Sequence, residues 1–239
     1  MKNKIIIYDF DGTLTPYSVP KIDLMDKIGC TFEQYEAKMK EWLIAHPGKD
    51  IFDSYYMTFL NVLSEYGYPL TDETFAMGGN LTNFNPGVLE YFEDTKDLAQ
   101  HYLVSSGFQV PLEHSAVSKY FTKIYGTIFS YDANHVATGI AYAMNDKRKV
   151  DKIQEICAMN HLDDLNLENV VYIGDGLTDA YAMSFVKEHG GTPIFVYQPH
   201  ETSDAFEQLK NKGIVDIAFV ADYSKGTDLY NTLLQFIQK

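Results

Sequence analysis

The sequence predicts an α/β fold: a parallel sheet with helices on both faces and a small α-helical domain inserted after the first strand. Short runs rich in β-branched and aromatic residues, such as Ile5–Tyr8 and Val170–Ile173, lack polar alternation and read as strands buried on both faces. They alternate with longer segments of helical spacing, and that alternation implies crossovers between parallel strands. Between positions 16 and 84 the texture changes: helical spacing persists and no strand is discernible.

Taken in order, Ile5-Ile6-Ile7-Tyr8 is the first strand, and it stops at Asp9-Phe10-Asp11-Gly12. In the insertion, Phe32, Tyr35, Met39 and Trp42 mark a helix over 32–43, and Tyr56, Phe59, Leu60 and Leu63 another over 53–66. His46-Pro47-Gly48 breaks the pattern between them. Asn85-Pro86-Gly87 opens a helix expected to run to about Gln100, with Leu89, Phe92 and Leu98 among its apolar positions. Tyr102-Leu103-Val104 is the second strand, with Ser105-Ser106-Gly107 at its end. Ile124–Ser130 is a further strand, and 134–144 holds a short hairpin or loop. Val150, Ile153, Ile156 and Cys157 define a helix from Val150 to Met159. Val170–Ile173 ends in Gly174-Asp175-Gly176. A helix from Thr178 to His189 then stops at Gly190-Gly191, as a glycine C-cap requires. Ile194–Tyr197 and Asp216–Val220 complete the series. The domains read as an α/β core, 1–15 and 85–239, and an inserted helical unit, 16–84.

The 239 residues are 46% apolar, enough for a well-formed core. A net charge of −14 speaks against nucleic-acid partners and against anionic membranes. It is compatible with a small phosphorylated substrate, because one bound divalent cation inverts the local field. Arg148 is the single arginine. Cys30 and Cys157 have no metal-type spacing and read as reduced buried thiols. The apolar run after Met1-Lys2-Asn3-Lys4 is too short for a signal peptide, and no stretch approaches the ~20 apolar residues of a membrane span. The expectation is a cytoplasmic protein, a monomer or small homo-oligomer.

Three strand ends carry reactive groups: Asp9 and Asp11, Ser105 and Ser106, and Asp175. Ligands of open α/β sheets bind at that edge. Carboxylates gathered there repel one another unless a cation joins them, and magnesium suits hard oxygen ligands that leave water positions open. Asp9 is then the candidate nucleophile toward a phosphorus atom. Asp11 is the candidate acid that protonates the leaving alcohol and afterwards deprotonates water. The Ser105 hydroxyl and backbone N–H groups near Ser106 and Gly107 are candidates to hold phosphoryl oxygens, with a lysine balancing their charge.

The run Asp9-Phe10-Asp11-Gly12-Thr13-Leu14-Thr15 resembles the first motif of the haloacid dehalogenase (HAD) superfamily. Ser105 is similar to its second motif and Gly174-Asp175-Gly176-Leu177-Thr178-Asp179 to its fourth. For the third, a lysine, Lys149 fits best, since Val150, Ile153 and Ile156 then fall on the apolar face as in phosphoserine-phosphatase-like members; Lys147 is the alternative. The resemblance implies a Rossmann-like core with a type-1 helical cap. It implies Mg2+ bound by the side chains of Asp9 and Asp175 and the backbone carbonyl of Asp11, with Asp179 near the metal. Thr13, Ser105, Ser106 and Gly107 would surround the substrate phosphate, and catalysis would fall to Asp9, Asp11 and Lys149. The region between Gly107 and Lys149 is too short for a large second cap.

Within that superfamily, Asp11 favours phosphoryl transfer, because dehalogenase members lack the second aspartate. Phosphoserine phosphatases place a glutamate where this chain has Ser18, and a cap arginine where this cap has none. Lys38 or Lys49 would substitute only as a point charge, and Thr178 replaces the usual asparagine. The expected substrate is a small phosphomonoester, with apolar or aromatic ones among the candidates. A phosphotransferase or phosphomutase is the alternative. A non-catalytic phospho-acceptor domain is a further one, disfavoured by the helical insertion and by the motif following the first strand. Tyr35, Trp42, Tyr55, Tyr56 and Phe59 read first as helix-packing residues and second as a substrate pocket. Lys123 and Arg148 read as surface groups, and His46, His101 and His161 have no ligand spacing.

Overall fold

β1 (Ile5–Tyr8) sends Ile6 and Tyr8 into one hydrophobic cluster and Ile5 and Ile7 into another, as the two-residue period of a strand requires. That division organises the molecule. In the computed structural model, which describes residues 4–17, 19–162, 166–199 and 204–239, β1 lies at the centre of a seven-stranded sheet. The other strands are β2 (Gln100–Phe108), β3 (Lys123–Tyr131), β4 (Ala137–Tyr142), β5 (Val170–Gly174), β6 (Thr192–Tyr197) and β7 (Ile217–Val220), in the order β4-β3-β2-β1-β5-β6-β7. On one face, α5 (Val88–Thr95) and α10 (Asp228–Gln238) bury Val88, Tyr91, Phe92, Leu229 and Leu233. On the other, α7 (Asp146–Met159), α8 (Ala180–Glu188) and α9 (Asp204–Asn211) bury Ile153, Ile156, Ala182, Met183 and Leu209. Chain order reverses beside β1, which pairs with β2 on one side and β5 on the other. A crevice at such a reversal is where open α/β sheets hold ligands.

Several elements differ from the sequence reading. The sheet is parallel except for β4, which pairs antiparallel with β3. The link 132–136 is too short for a crossover, and Asp132 closes it by accepting hydrogen bonds from the Asn134 and Val136 N–H groups. β2 does not end at Ser105: it runs irregularly past Ser105-Ser106-Gly107 to Phe108. α5 stops at Thr95, whose hydroxyl donates to the Tyr91 carbonyl, and Gln100 already belongs to β2. α7 begins earlier, at Asp146, because the Asn145 side chain accepts the Arg148 N–H as an N-cap.

Between β1 and α5 come four helices: α1 (Val19–Ile28), α2 (Phe32–Ala45), α3 (Ile51–Glu65) and α4 (Asp72–Asn80). Capping boxes start two of them, Thr31 with Gln34 and Asp50 with Asp53. Their apolar faces share one cluster, including Tyr35, Tyr56, Phe59 and Phe75, with Phe108 of β2 and Phe129 of β3. The Ala137 N–H donates to the Leu70 carbonyl at 2.7 Å, and Tyr131 donates to Asp72. The helical unit is thus seated on the far end of the β2–β3–β4 edge. α6 (Gln109–Glu113) follows β2 directly. Cys30 and Cys157 are free and buried, and burial pushes the Cys157 thiol up to about 11. No helix among the described residues is long and apolar enough to cross a membrane.

Candidate active site

Asp9 follows β1 directly, and its N–H still donates to the Ile173 carbonyl of β5 at 2.9 Å. The chain then winds tightly: the Phe10 carbonyl accepts from the N–H groups of Thr13, Leu14 and Thr15. Gly12 sits at φ +76°, and a Cβ there would lie 2.1 Å from Asp175 Oδ2. Only glycine lets the two loops approach this closely. The turn is also tied from outside. Gln198 donates to the Gly12 carbonyl, and Asn85 and Tyr223 donate to the Thr13 carbonyl.

Lys149, in the first turn of α7 and fully buried, donates to Asp179 Oδ1 at 2.7 Å and lies 3.0 Å from Asp9 Oδ2. Asp179 is saturated. Its Oδ1 also accepts from the Tyr172 hydroxyl at 2.6 Å, and its Oδ2 accepts from the N–H groups of Asp175 and Gly176. These bonds use the lone-pair directions a carboxylate offers, so Asp179 acts by holding Lys149 and the β5 loop. Thr13 Oγ1 donates to Asp175 Oδ1 at 3.2 Å. Asp9, Asp175 and Asp179 each place a carboxylate oxygen within 4.8 Å of the others, an arrangement able to hold a metal ion. Asp9 Oδ1 is buried and has no hydrogen-bond partner.

Electrostatics follow from this crowding. Burial pushes the Asp9 carboxyl up to about 6 even though the Lys149 ammonium pulls the other way. Burial, then the charges of Asp179 and Asp9, raise Asp175 well above the usual carboxylate range. Burial alone would lower Lys149, but the two carboxylates outweigh it and its ammonium is held above its ordinary value. A site that leaves buried acids this uncomfortable and one buried oxygen orphaned fits a hard cation.

Beside the acids lies a cavity of about 340 Å3, lined by Asp11, Ser106, Gly107 and Thr178 on one side and by Met39, Ile51, Phe52, Tyr55 and Tyr56 on the other. The sequence-derived residues therefore divide. Asp9, Thr13, Lys149, Asp175 and Asp179 meet at the rim, while Asp11, Ser106 and Gly107 face the cavity. Ser105 is buried, and its hydroxyl accepts the Gly107 N–H at 3.0 Å, so that N–H is engaged within the loop. Lys149 rather than Lys147 contacts Asp9; Lys147 lies over the Tyr181 ring. Lys38 pairs with Glu65 and Lys49 with Asp53, and neither lines the cavity. Ser18 lies outside the described residues. Sequence reasoning passed over Tyr172, Asn85, Gln198 and Tyr223. Asn85 read only as a helix start and Tyr172 as strand filling; Gln198 and Tyr223 reach the turn from 186 and 210 positions away and leave no local signal.

The fold and site together define a Rossmann-like α/β protein with carboxylates gathered at one edge of its parallel strands and a helical unit inserted after the first strand. A model of the haloacid dehalogenase-like hydrolase family matches residues 6–184, and the chain belongs to that family. An uncharacterized protein of Borreliella burgdorferi is 24% identical, across 97% of this chain and 95% of its own length. A HAD family hydrolase from Salmonella enterica serovar Typhi superimposes with a TM-score of 0.68 at 17% identity, covering 98% of this chain and 71% of its own. A substrate-bound phosphoserine phosphatase does so with 0.63 at 19% identity, covering 98% and 99%. Cytosolic 5'-nucleotidase IIIB bound to cytidine gives 0.62 at 17%, covering 99% and 86%. At these identities the likeness is one of fold.

Proposed function

We propose that the protein is a magnesium-dependent phosphatase that hydrolyses a small phosphomonoester through an aspartyl-phosphate on Asp9. The observation that carries this reading is the state of Asp9. One oxygen is held by Lys149 and the other is buried and unpartnered, while Asp11, two residues on, lines a cavity.

In the first step an Asp9 carboxylate oxygen attacks phosphorus and the ester P–O bond breaks. The departing alkoxide takes a proton from Asp11, which faces the cavity. In the second step Asp11, now a carboxylate, removes a proton from water; the water oxygen bonds to phosphorus and the P–O bond to Asp9 breaks. Phosphate leaves and both aspartates are restored. The buried Lys149 ammonium offsets negative charge at Asp9 throughout. Asp9, Asp175 and the Asp11 carbonyl would hold Mg2+, which neutralises charge on the phosphoryl oxygens. Thr13 positions Asp175, Asp179 positions Lys149, and Ser105, Ser106 and Gly107 shape the phosphate end. With a net charge of −14 the partner is a small phosphorylated metabolite rather than nucleic acid or an anionic membrane.

Asp9→Asn tests the mechanism. With magnesium and 4-nitrophenyl phosphate, the variant should lose all measurable release of nitrophenol while keeping the circular dichroism spectrum of the parent. Turnover equal to the parent's would remove Asp9 from the chemistry.

A further inference from the structure

Resting on the phosphatase reading, we propose that the site selects phosphomonoesters whose alcohol portion is uncharged and apolar, with room for an aromatic ring, and rejects amino-acid-like and other charged alcohols.

The wall opposite the acids is built from Met39, Ile51, Phe52, Tyr55 and Tyr56, and among the described residues no lysine, arginine or histidine lines the cavity. Among the described lining residues, a carboxylate on the substrate would meet Asp11, Ser106, Thr178 and apolar side chains, and no cation. Lys27, Lys38, Lys40 and Lys49 of the cap do not line the cavity: Lys38 and Lys49 are paired elsewhere, and Lys27 and Lys40 are exposed. Arg148 is turned away, donating to the Ala143 carbonyl over the Tyr142 ring. An ammonium would find Asp11, but that carboxyl faces the scissile bond in the proposed mechanism.

The aromatic wall is also fixed in place. Tyr55 stacks on Phe108 at 5.7 Å, and Tyr56 packs edge-on against both rings. The Tyr56 hydroxyl donates across to core carbonyls, Ser106 at 3.0 Å and Met144 at 2.9 Å, and accepts from Thr127 at 2.9 Å. Phe52 tilts against Tyr56 and is half-buried, and Ile51 is 55% exposed, so apolar surface at the cavity mouth has no protein cover. Rigid aromatic rings at a cavity of this size favour flat apolar ligands. The Ser106 hydroxyl, buried at its oxygen and without a partner, supplies one hydrogen bond at the phosphate end of that wall.

The test compares primary alkyl esters, so that leaving-group reactivity is nearly constant: 2-phenylethyl phosphate, ethyl phosphate, ethanolamine phosphate and O-phosphoserine, each with magnesium. The expected order of kcat/KM puts 2-phenylethyl phosphate first, by roughly tenfold over ethyl phosphate and about a hundredfold over phosphoserine, the range a matched apolar pocket provides. Phe52→Ser should shrink the phenylethyl-to-ethyl ratio about tenfold. Equal or faster hydrolysis of phosphoserine or ethanolamine phosphate, with Asp9→Asn still inactive, overturns the selectivity and leaves the phosphatase reading standing. If no ester is turned over, that reading fails by itself. Calorimetric titration with 2-phenylethylphosphonate and with 2-amino-4-phosphonobutanoate then decides the pocket: tighter binding of the phenyl compound supports it, and equal or weaker binding overturns it.

Discussion

The two walls of the cavity are built on opposite principles. The acid wall comes from short turns after β1 and β5 and from the irregular end of β2; in the turns, buried charges are held by other charges, by backbone N–H groups and by a glycine that admits no Cβ. The cap wall comes from one helix, α3, and one methionine of α2, held by ring packing and by the Tyr56 hydroxyl. Position on the first wall is set by directional hydrogen bonds and ion pairs; position on the second is set by shape and volume. The acid wall should therefore tolerate almost no substitution without loss of chemistry. Changes on the cap wall should appear first as changes of stability and substrate preference.

The sharpest way to break this contrast is Lys149→Met. Removing the one cation among buried carboxylates leaves Asp9 and Asp179 uncompensated, which costs about 3–5 kcal/mol of stability. Urea unfolding should show that loss together with an inactive enzyme. A Lys149→Met protein as stable as the parent would mean that the acids do not depend on the ammonium. Next in size, Gly12→Ala drives a methyl group into Asp175. Displacing a catalytic group by about 1 Å costs roughly a hundredfold in rate, so kcat/KM should fall by at least that much. The strain of an alanine at positive φ adds about 1–2 kcal/mol. Near-parent activity would show that the loops can separate without harm.

On the cap wall, Tyr56→Phe keeps the ring and removes one hydroxyl. The carbonyls of Ser106 and Met144 and the hydroxyl of Thr127 then lose a partner in a buried place. The expected cost is about 1–3 kcal/mol in thermal or chemical unfolding, with 4-nitrophenyl phosphate turnover falling far less than in Gly12→Ala. The smallest effect lies away from both walls. Lys123 and then Lys152 hold the Glu155 carboxyl down from 4.5 to about 2. A depressed carboxyl contributes stability above its unfolded value and loses it as pH falls through the folded one. Glu155→Gln should thus cost no more than ~0.5 kcal/mol at pH 7, because the pair is solvent-screened. The difference should fade between about pH 4.5 and pH 2. A gap that persists at pH 2 would point to packing instead of charge.

Legibility followed the same division. Ile5–Tyr8 and Val170–Ile173 were readable as central strands because burial on both faces leaves uninterrupted apolar runs, and the structure puts them side by side. Asp9, Asp11 and Asp175 were readable because each follows such a run at a turn. Lys149 was readable as a helix position, but its preference over Lys147 came from the apolar face of α7; only the packed helix shows it reaching Asp9. The extension of β2 through Ser106 to Phe108 was not readable, since two serines and a glycine carry no strand signal. The antiparallel β4 falls within the 134–144 stretch read as a short hairpin or loop; its pairing with β3 was not readable, since it depends on the short Asp132 turn.

By itself, then, the amino-acid sequence determined the strand–helix alternation, the helical insertion and the acids that end the strands, because hydrophobic period and turn chemistry are local properties. Tertiary structure alone decided which oxygen of Asp9 is left open and which lysine meets it. It also decided that Tyr172, Gln198 and Tyr223 brace the site and that the cap's aromatic face closes over it. Those outcomes depend on contacts between residues far apart in the chain, where the free energy comes from pairing buried charges and packing rings together, and no window of neighbouring residues contains that information.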